Sequence, residues 1–499
     1  MESAGTAPQA RIFVRGGHSA PIASAMPLSS DIFRPEPRLK ALGGEFFDPV
    51  EPADFPAAVL RWRNDRAAAA VGLADLGDAE WIGHFARFRP LPGGQGANLA
   101  LRYHGHQFRS YNPDLGDGRG FLFDQLREAS TGRLLDLGTK GSGTTPWSRG
   151  ADGRLTLKGG VREVLATEML EALGVPTSRT FSLIETGEDL VRGDEPSPTR
   201  SAVLVRLSQG HVRFGTFQRL AWLERPDLIE TLIGHVAETY YPELDRPDAP
   251  ALLAPALLNE VVARSARLTA RWMAAGFVHG VLNTDNMNMS GESFDYGPYR
   301  FLPFYEPGFT AAYFDHSGLY AFARQPEAVF WNLTQLAGCF TLVAEREPLI
   351  EAMNTFGPAY ARELQAAFCA RLGVRCAGYD ADAALVEAAL TLFEVDRDAL
   401  RWEPLFFDWF CGDAARAARS PRAAAYDSDA GRAFAQALAA HEPDRPERLA
   451  HPYFSRAEPE ELLYPQIEAL WADIAERDDW SAFEAKIAAI REAGAAYAL

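Results

Sequence analysis

The sequence predicts an α+β protein with two lobes, the first rich in strands and the second rich in helices. Between residues 101 and 215, apolar and β-branched runs predict strands, and a single segment carries helical periodicity. From residue 216 onward, apolar residues recur at helical spacing through most of the chain. The predicted strands cover residues 120–124, 134–140, 180–185 and 201–207.

The order of these segments divides the chain into four parts. They are an N-terminal extension (1–100), a β-rich lobe (101–215), a helical lobe (216–380) and a helical C-terminal extension (381–499). Within them, residues 67–86 suggest a helix despite three glycines, and the charged, proline-containing stretch 189–199 predicts an exposed hairpin loop. A proline-rich stretch at 441–459 interrupts the last helical part.

Three helices stand out. The segment 161–173 has apolar residues at helical spacing, and Gly174 with a following proline predicts where it ends. A second apolar series runs from Leu258 to Met273 and leads into the loop that begins at residue 277. The third helix is predicted at 331–343.

Composition narrows the classes of function. A hydrophobic content of 47% in 499 residues predicts a packed globular protein, and a net charge of −18 argues against a nucleic-acid-binding protein, which usually presents a basic face. The sequence has no apolar run of about 18 residues, so we expect no transmembrane helix. It also lacks the apolar core of a secretory signal near its start. We therefore expect a cytoplasmic protein that binds neither nucleic acid nor membrane.

The four cysteines are Cys339, Cys369, Cys376 and Cys411. None shows C-x-x-C or zinc-site spacing, so we expect reduced thiols. Cys369 and Cys376 are seven residues apart and could share a helix face. Two helical turns would separate them by about 10 Å, which is too far for a disulfide.

The most informative motif reads HGVLNTDNM at 279–287 and DYG at 295–297. Protein kinases carry H-R-D-x-x-x-x-N and then D-F-G, in which the first Asp is the catalytic base while the Asn and the second Asp hold Mg²⁺. Aligned on the histidine, Val281 stands where the base would be, Asn286 where the Asn would be, and Asp295 where the second Asp would be. The segment therefore resembles a kinase active site that keeps its metal ligands and lacks its base.

Asp285 adds a carboxylate directly before Asn286. An isolated loop aspartate is usually a turn or cap residue. Its position ten residues before Asp295 makes Asp285 a candidate proton acceptor instead. Asn286 and Asp295 offer the hard oxygen ligands that Mg²⁺ or Mn²⁺ prefers.

Further kinase features precede this segment. The strand 134–140 ends in Lys140, and Glu163 follows twenty-three residues later in the predicted helix, as in the Lys–Glu ion pair of kinases. Gly116 and Gly118 lie where a kinase has its glycine-rich loop. Taken alone, Lys140 could be a solvated lysine and the glycines a tight turn. A strand-end lysine near solvent contributes little to stability, so we expect Lys140 to be replaceable without loss of the fold.

Two arginines bear on how a nucleotide would bind. Arg206 and Arg213 could each be a surface residue, but Arg213 lies in an HVRFG segment with few other charges. In a kinase the inner cleft receives adenine and is mostly apolar, so arginines there would be costly unless an anion paired with them. If both line that cleft, the phosphates must point inward.

These blocks together resemble the selenoprotein O family of protein adenylyltransferases, long described as pseudokinases. The resemblance runs in order from about residue 103 to residue 333. Its blocks are YHGHQF (103–108), LGDGR (115–119), KGSGTTPWSR (140–149), DGR (152–154), VRE (161–163), Arg206, HVRFG (211–215), GFVHG (276–280), NTDNM (283–287) and DYGP (295–298), with weaker matches at 315–320 and 331–333.

The resemblance implies a protein-kinase-like fold, ATP bound in an orientation flipped relative to kinases, and transfer of AMP to Ser, Thr or Tyr of protein substrates. It implies Asp285 as proton acceptor, and Asn286 and Asp295 as metal ligands. The implied nucleotide-binding residues are Gly116, Gly118, Arg119, Lys140, Asp152, Gly153, Glu163, Arg206, Arg213 and Asp295.

Other interpretations stay open at this point. His279 is expected to support its loop through hydrogen bonds, and His104 and His106, which lack a third ligand, are expected to be structural. For the whole protein, phosphoryl transfer with Asp285 as a substitute base, or a catalytically silent nucleotide-binding scaffold, are the alternatives to AMP transfer.

Overall fold

An antiparallel sheet organises the N-terminal half of the protein. The computed structural model describes residues 32–193, 195–247, 250–397 and 399–499. Its strands are β1 (Phe47–Val50), β2 (Val59–Arg63), β3 (Asn98–Leu101), β4 (Gly105–Gln107), β5 (Ser110–Asn112), β6 (Leu122–Arg127), β7 (Leu134–Lys140), β8 (Leu155–Thr156), β9 (Arg179–Leu190), β10 (Thr199–Ser208), β11 (Phe277–Val278) and β12 (Arg300–Phe301). The main sheet has the order β1-β3-β6-β7-β10-β9-β2, with β8 paired to β10, while β4–β5 and β11–β12 form separate pairs.

Helices make up most of the remaining chain. They are α1 (Asp65–Ala70), α2 (Asp78–Phe85), α3 (Leu157–Ala172), α4 (Phe214–Trp222), α5 (Pro226–Tyr240), α6 (Pro250–Ala274), α7 (Gln325–Phe340), α8 (Arg346–Asn354), α9 (Phe356–Arg371), α10 (Tyr379–Val395), α11 (Trp402–Asp408), α12 (Ala414–Ala417), α13 (Ala423–Tyr426), α14 (Asp429–Leu438), α15 (Tyr464–Arg477) and α16 (Ser481–Tyr497). Short 3₁₀ turns cover Leu39–Leu42, Thr284–Asn286, Phe322–Arg324, Phe410–Gly412, Pro446–Ala450 and Pro452–Ser455. None of the helices in the described ranges has the length and apolarity to cross a bilayer.

The α+β prediction is confirmed, while likeness to the two-lobed kinase fold stays a prediction. The predicted strand at 134–140 is β7, and those at 180–185 and 201–207 lie inside the longer β9 and β10. The first predicted strand begins two residues late, at Leu122, and its pairing with β7 is shifted by a bulge. The hairpin loop between β9 and β10 is shorter than predicted because β9 continues to Leu190.

The predicted helices are present with altered ends. The segment 161–173 lies in α3, which starts earlier because Thr156 accepts a hydrogen bond from the Gly159 amide and caps it. The second predicted helix is α6, and Gly276 follows it with a positive φ of 60°. The segment 67–86 is not one helix, since α1 and α2 are separate there.

Residues on the two faces of β10 belong to different cores. Ala202 and Leu204 pack in a core with α3, whereas Val203 and Val205 pack in a core with α1 and α2. Because side chains alternate across a strand, Arg206 points to the same side as Leu204. The sheet therefore presents Arg206 toward the second half of the chain.

Three strands from the predicted N-terminal extension belong to the main sheet, namely β1, β2 and β3. Trp81 of α2 stacks on Phe181 of β9, with ring centroids 4.8 Å apart. The first 31 residues of that extension lie outside the described residues. The boundary at residue 100 stays a prediction, but the sheet extends across it.

The C-terminal extension packs against the helix that carries Glu163. In α16, Arg491 donates hydrogen bonds of 2.7 and 2.9 Å to both carboxylate oxygens of Glu168 on α3. One turn further, Gly494 lies so close to Ala172 that an added Cβ would be 3.1 Å from it. Helix α3 is therefore held between the main sheet on one side and the C-terminal helix α16 on the other.

The expected helical separation of Cys369 and Cys376 is wrong. Cys369 lies in α9, but this helix ends at Arg371, and Gly373 turns the chain with a φ of 64°. Cys376 therefore returns to the neighbourhood of the Cys369 thiol. Both thiols are free.

Candidate active site

A cleft of about 400 Å³ lies between the sheet and the loop that follows α6. It brings together nine of the residues that the sequence singled out: Gly116, Gly118, Arg119, Lys140, Arg206, Arg213, Asp285, Asn286 and Asp295. A larger cavity of about 750 Å³ contains none of these residues and is lined by a mixture of acidic and basic side chains. The residues that the sequence predicts to be functional therefore line the smaller cleft.

Lys140 is the centre of a buried ion-pair network. Its ammonium group contacts the Glu163 carboxylate and lies 2.5 Å from Asp295 Oδ1. The predicted Lys140–Glu163 pair is present, but the expectation that Lys140 is near solvent is wrong, because the residue is only 5% exposed. The sequence could not show this, since the Asp295 carboxylate that contacts Lys140 is 155 residues away along the chain.

The two arginines occupy the same cleft. Arg206 is buried, and its Nε and one terminal nitrogen have no hydrogen-bond partner. Arg213 donates a 2.7 Å hydrogen bond to the carbonyl of Asp285 and a 3.2 Å bond to the carboxylate of Asp117. The Arg213 guanidinium also lies over the ring of Phe294, 4.8 Å from its centroid. A guanidinium that is buried with unpaired N–H groups is suited to bind a planar or tetrahedral anion.

Asp295 is held in its ionised form. Burial alone would raise the pKa of its carboxyl, but Lys140, Arg206, Arg213 and Arg119 outweigh that effect and hold the pKa well below its usual value. The backbone of Asp295 has a φ of 65°, in the left-handed region that non-glycine residues rarely adopt. Such conformations cluster at functional sites, where the surrounding structure maintains them.

Asp285 has the opposite electrostatic environment. Burial raises the pKa of its carboxyl to about 6, against a smaller opposing effect of Arg213. Its Oδ1 is buried without a hydrogen-bond partner. A side chain on Gly105 would crowd the Asp285 carboxyl at 3.0 Å, so the glycine leaves room for it. An aspartate with a pKa close to neutrality can take up a proton during a reaction.

The loop that carries Asp285 is fixed by hydrogen bonds to both halves of the protein. Thr284 Oγ1 accepts from the amide of His106 in β4, and Asn283 Oδ1 accepts from the amide of Phe108 and from the hydroxyl of Tyr320. The contacts span chain separations of up to 178 residues. They hold the Asp285 backbone while its carboxyl faces the cleft.

His279 supports the loop, as the sequence predicted. Its Nε2 donates to the carbonyl of Phe294, and its Nδ1 accepts from the amide of Val281 at 3.4 Å. Burial lowers the pKa of the ring, so His279 is neutral at physiological pH. It links the loop to the residue before Asp295 and takes no place in the cleft lining.

The glycine-rich loop is covered by the segment that follows β7. Trp147 lies over Gly116, where any Cβ would collide with its ring. Ser148 Oγ donates a 2.5 Å bond to the Gly118 carbonyl, and Thr145 Oγ1 donates a 2.6 Å bond to the Asp117 carbonyl. The glycines are therefore needed because this flap, the segment that carries Thr145, Trp147 and Ser148, packs closely on them. The packing brings the backbone of the glycine-rich loop to the cleft.

Three of the implied nucleotide-binding residues lie outside the cleft lining. Glu163 is connected to the cleft through its contact with Lys140, and the other two are Asp152 and Gly153. Asp152 forms an ion pair with Arg192 at 2.8 Å, and its side chain is 46% exposed. Gly153 has a φ of 68° and its backbone packs against Gly143, so a side chain there would collide. Their neighbour Ala151 does line the cleft. Both residues shape the base of the flap, and nucleotide contact by either stays a prediction.

Sequence reasoning missed two charged residues of the site. Arg149 lines the cleft and acts electrostatically on Asp285. Asp117 pairs with Arg213. Two sequence features could have identified them. Arg149 is at the end of the KGSGTTPWSR block, and Asp117 lies between two glycines. Their roles depend on contacts across the cleft.

Comparisons with known proteins agree with this geometry. A family model described as "Protein adenylyltransferase SelO" matches residues 32–491, which is most of the chain. The chain belongs to this family. The predicted resemblance is therefore confirmed, and with it the prediction that the chain is a nucleotidyltransferase.

Curated relatives carry the same kind of name. A protein of Gloeobacter violaceus named "Protein nucleotidyltransferase YdiU" is 46% identical over 479 residues, covering 92% of this chain and 95% of that protein. Proteins of the same name from Trichodesmium erythraeum and Synechocystis are each 52% identical, covering 70% and 68% of this chain and 74% and 70% of theirs. These names support a protein nucleotidyltransferase without specifying the amino acid modified.

The donor set of the cleft fits a divalent metal ion of the Mg²⁺ type. The Asn286 amide nitrogen donates a 3.0 Å bond to the Val281 carbonyl, which leaves its carbonyl oxygen as the available ligand atom. Asp295 is ionised and partly exposed on the same cleft. Carboxylate and amide oxygens with room for phosphate oxygens are the usual surroundings of Mg²⁺.

The Lys140 network generates a stability prediction. Lys140→Met leaves the buried carboxylate of Glu163 without its cation, so we expect a loss of about 3 kcal/mol in unfolding free energy. The double variant Lys140→Met/Glu163→Gln should recover part of that loss, as measured by urea denaturation. Lys158→Met on the same helix, which removes a more exposed pair with Glu468, is the control and should cost at most about 1 kcal/mol. Equal costs for the two single substitutions would contradict the buried network.

Proposed function

We propose that this protein transfers AMP from ATP to hydroxyl groups of Ser, Thr or Tyr in protein substrates and releases pyrophosphate. The observation that carries the proposal is the buried Arg206 guanidinium, which has two nitrogens without a hydrogen-bond partner, beside Lys140 and Arg213. Buried cations with unpaired N–H groups are costly unless an anion binds them. The phosphates of ATP supply such an anion.

The placement of these cations supports a phosphate-inward orientation of ATP. Arg206 extends from the sheet face that carries Leu204 and is buried where it lines the cleft, and Lys140 lies on the neighbouring strand β7. Adenine would then lie toward the mouth of the cleft. Incoming phosphate would also compete with Asp295 for Lys140 and the arginines, and so leave the Asp295 carboxylate available to a metal ion.

Asp285 is assigned as the proton acceptor. The substrate hydroxyl oxygen forms a bond to the α-phosphorus, the bond from that phosphorus to the oxygen bridging to the β-phosphate breaks, and the hydroxyl proton goes to the Asp285 carboxylate. Lys140, Arg206 and Arg213 neutralise the departing pyrophosphate. Val281, at the position of the kinase base, has no group that can accept a proton, which favours this reaction over phosphoryl transfer.

Asn286 and Asp295 are assigned as the residues that hold the metal ion. A bound Mg²⁺ or Mn²⁺ would supply charge neutralisation on the phosphate oxygens. Glu163 contributes indirectly, by orienting Lys140 toward the cleft. Protein substrates would reach the cleft from its open side.

The transferred group is tested with isotopically labelled ATP. We expect label from the α-phosphate, and not from the γ-phosphate, to become covalently attached to protein hydroxyls when the full chain is incubated with Mg²⁺. Excess EDTA or the substitution Asp295→Asn should abolish the labelling. Lys158→Met, which lies away from the cleft lining, is the matched control and should label normally.

Other outcomes of this experiment point to the alternatives. Transfer of γ label would identify an orthodox kinase and reject AMP transfer. Binding of ATP with neither label transferred to any protein, including the chain itself, would identify a silent scaffold.

The raised pKa of Asp285 generates a pH prediction. A base must be deprotonated, so kcat/KM for AMP transfer should rise about tenfold per pH unit below pH 6 and level off above it. Asp285→Asn should lower the rate by about 10²–10⁴-fold. Dividing the rate of the native protein by the rate of Asp285→Asn at each pH cancels the effect of ATP ionisation. A ratio that is the same from pH 5 to pH 8 would contradict the assignment of Asp285 as the base.

Stability gives a second readout of the same group. The folded-state pKa of about 6 lies above the unfolded value of about 3.9. Ionisation therefore opposes folding, and stability should fall as the pH rises from about 4 to 6. Above pH 6, Asp285→Asn should be more stable than the native protein by roughly 2–3 kcal/mol, because it removes the buried charge.

A further inference from the structure

A second cluster of reactive side chains lies among the C-terminal helices. Cys369 in α9, Asp382 in the first turn of α10 and His441 after α14 are all buried, and their ligand atoms lie within 4.8 Å of one another. The Cys376 side chain lies next to Cys369 and Asp382. None of these side chains lines the nucleotide cleft.

The hydrogen bonds of His441 require a proton or a metal ion between its second ring nitrogen and Asp382. His441 Nδ1 lies 3.1 Å from the carbonyl of Ala437, which can only accept, so Nδ1 carries a proton. Nε2 lies 2.9 Å from Asp382 Oδ1, which is also an acceptor when ionised. In the neutral ring two lone pairs would face each other in a buried site. Either a proton or a metal ion must lie between them.

The surrounding donors favour a metal ion. A histidine that donates one ring N–H to a backbone carbonyl and directs the other nitrogen at a carboxylate has the arrangement of a metal-ligating histidine. A buried imidazolium–carboxylate pair would not need two thiols, yet Cys369 Sγ lies 3.8 Å from Asp382 Oδ1 and the Cys376 side chain lies beside them. Two sulfurs, one imidazole nitrogen and one carboxylate oxygen form a donor set typical of zinc.

The distances are compatible with tetrahedral coordination. Zinc bonds of about 2.0–2.3 Å place neighbouring ligand atoms about 3.3–3.8 Å apart in a tetrahedron. The Nε2–Oδ1 separation is 2.9 Å, and Cys369 Sγ lies 3.8 Å from Asp382 Oδ1. Small movements of Cys369, Asp382 and His441 would seat an ion among them, and the Cys376 side chain would turn toward it to complete the tetrahedron. Because Cys376 is exposed, a metal ion can enter the cluster from solvent past this residue.

The backbone around the cluster is well fixed. The Arg375 amide donates to Glu442, and the Asp444 amide donates to Gly373, each at 2.8 Å. This short antiparallel pairing brings the segment after α9 against the segment after α14. The Ala377 amide donates a 2.8 Å bond to Asp382 Oδ1 and so orients the carboxylate.

We propose that Cys369, Cys376, Asp382 and His441 bind one Zn²⁺ ion. The ion joins α9, α10 and the segment that follows α14, and it stabilises the packing of the C-terminal extension. Binding requires loss of both thiol protons, which are released to solvent as the two Zn–S bonds form. The proposal is independent of the reaction catalysed in the cleft.

The test is zinc binding by the full chain. After chelation and removal of the chelator, we expect the protein to take up one equivalent of Zn²⁺, measured by elemental mass spectrometry, with a rise in Tm. Cys376→Ser, at the exposed ligand, should weaken zinc binding at least tenfold and reduce the rise in Tm. Cys339→Ser is the control, because this buried cysteine lies in α7 and its thiol bonds to Gln335.

Cobalt substitution reports the ligands directly. Co²⁺ bound to the native chain should show the d–d bands of a tetrahedral site and a thiolate-to-cobalt charge-transfer band, and this band should weaken in Cys376→Ser but not in Cys339→Ser. Absence of stoichiometric zinc together with an unchanged Tm would overturn the proposal. A disulfide between Cys369 and Cys376 that persists under mild reduction would also overturn it, and mass spectrometry would detect this disulfide as a mass two hydrogens below that of the reduced chain.

Discussion

The convergence of four cations on the Asp295 carboxylate is the interaction on which the site depends. Lys140 comes from β7, Arg206 from β10, Arg213 from the start of α4 and Arg119 from the glycine-rich loop. Each cation is supplied by a different element, so the sheet, the loop and the helical part must all be in place for the charges to balance. Glu163 adds α3 to this set through Lys140, and Arg491 ties α3 to the C-terminal helix.

The two aspartates of the cleft differ in protonation because their neighbours differ. Asp295 is surrounded by cations that keep its pKa low, whereas Asp285 is buried with an unpaired oxygen and has a pKa of about 6. Pairs of acidic groups whose environments separate their pKa values commonly divide a reaction between them. Here the division matches a metal ligand and a proton acceptor.

The sequence predicted the local parts of this site well. The strand that ends in Lys140 and the helix that carries Glu163 follow from periodicity, and the loop from 279 to 287 follows from its motif. Features that depend on distant contacts were not predictable in this way. Lys140 contacts Asp295 across 155 residues of chain, and the place of β1 and β2 in the sheet depends on pairing with β3 and β9.

The same limit explains the cysteine cluster. Spacing along the chain suggested that Cys369 and Cys376 lie too far apart, because the end of α9 at Arg371 was not predicted. The other two donors, Asp382 and His441, are 59 residues apart and meet only through the packing of α10 on α14. A metal site assembled from separate helices leaves no compact sequence motif.

The orientation of bound ATP is the most direct test of the role of the cations that surround Asp295. In a crystal structure of the full chain with Mg²⁺ and a non-hydrolysable ATP analogue, we expect the triphosphate to contact Arg206, Arg213 and Lys140 and adenine to lie toward the mouth of the cleft. The α-phosphorus should be the phosphorus nearest the Asp285 side. Adenine in the inner cleft, with Arg206 and Arg213 directed away from the phosphates, would contradict it.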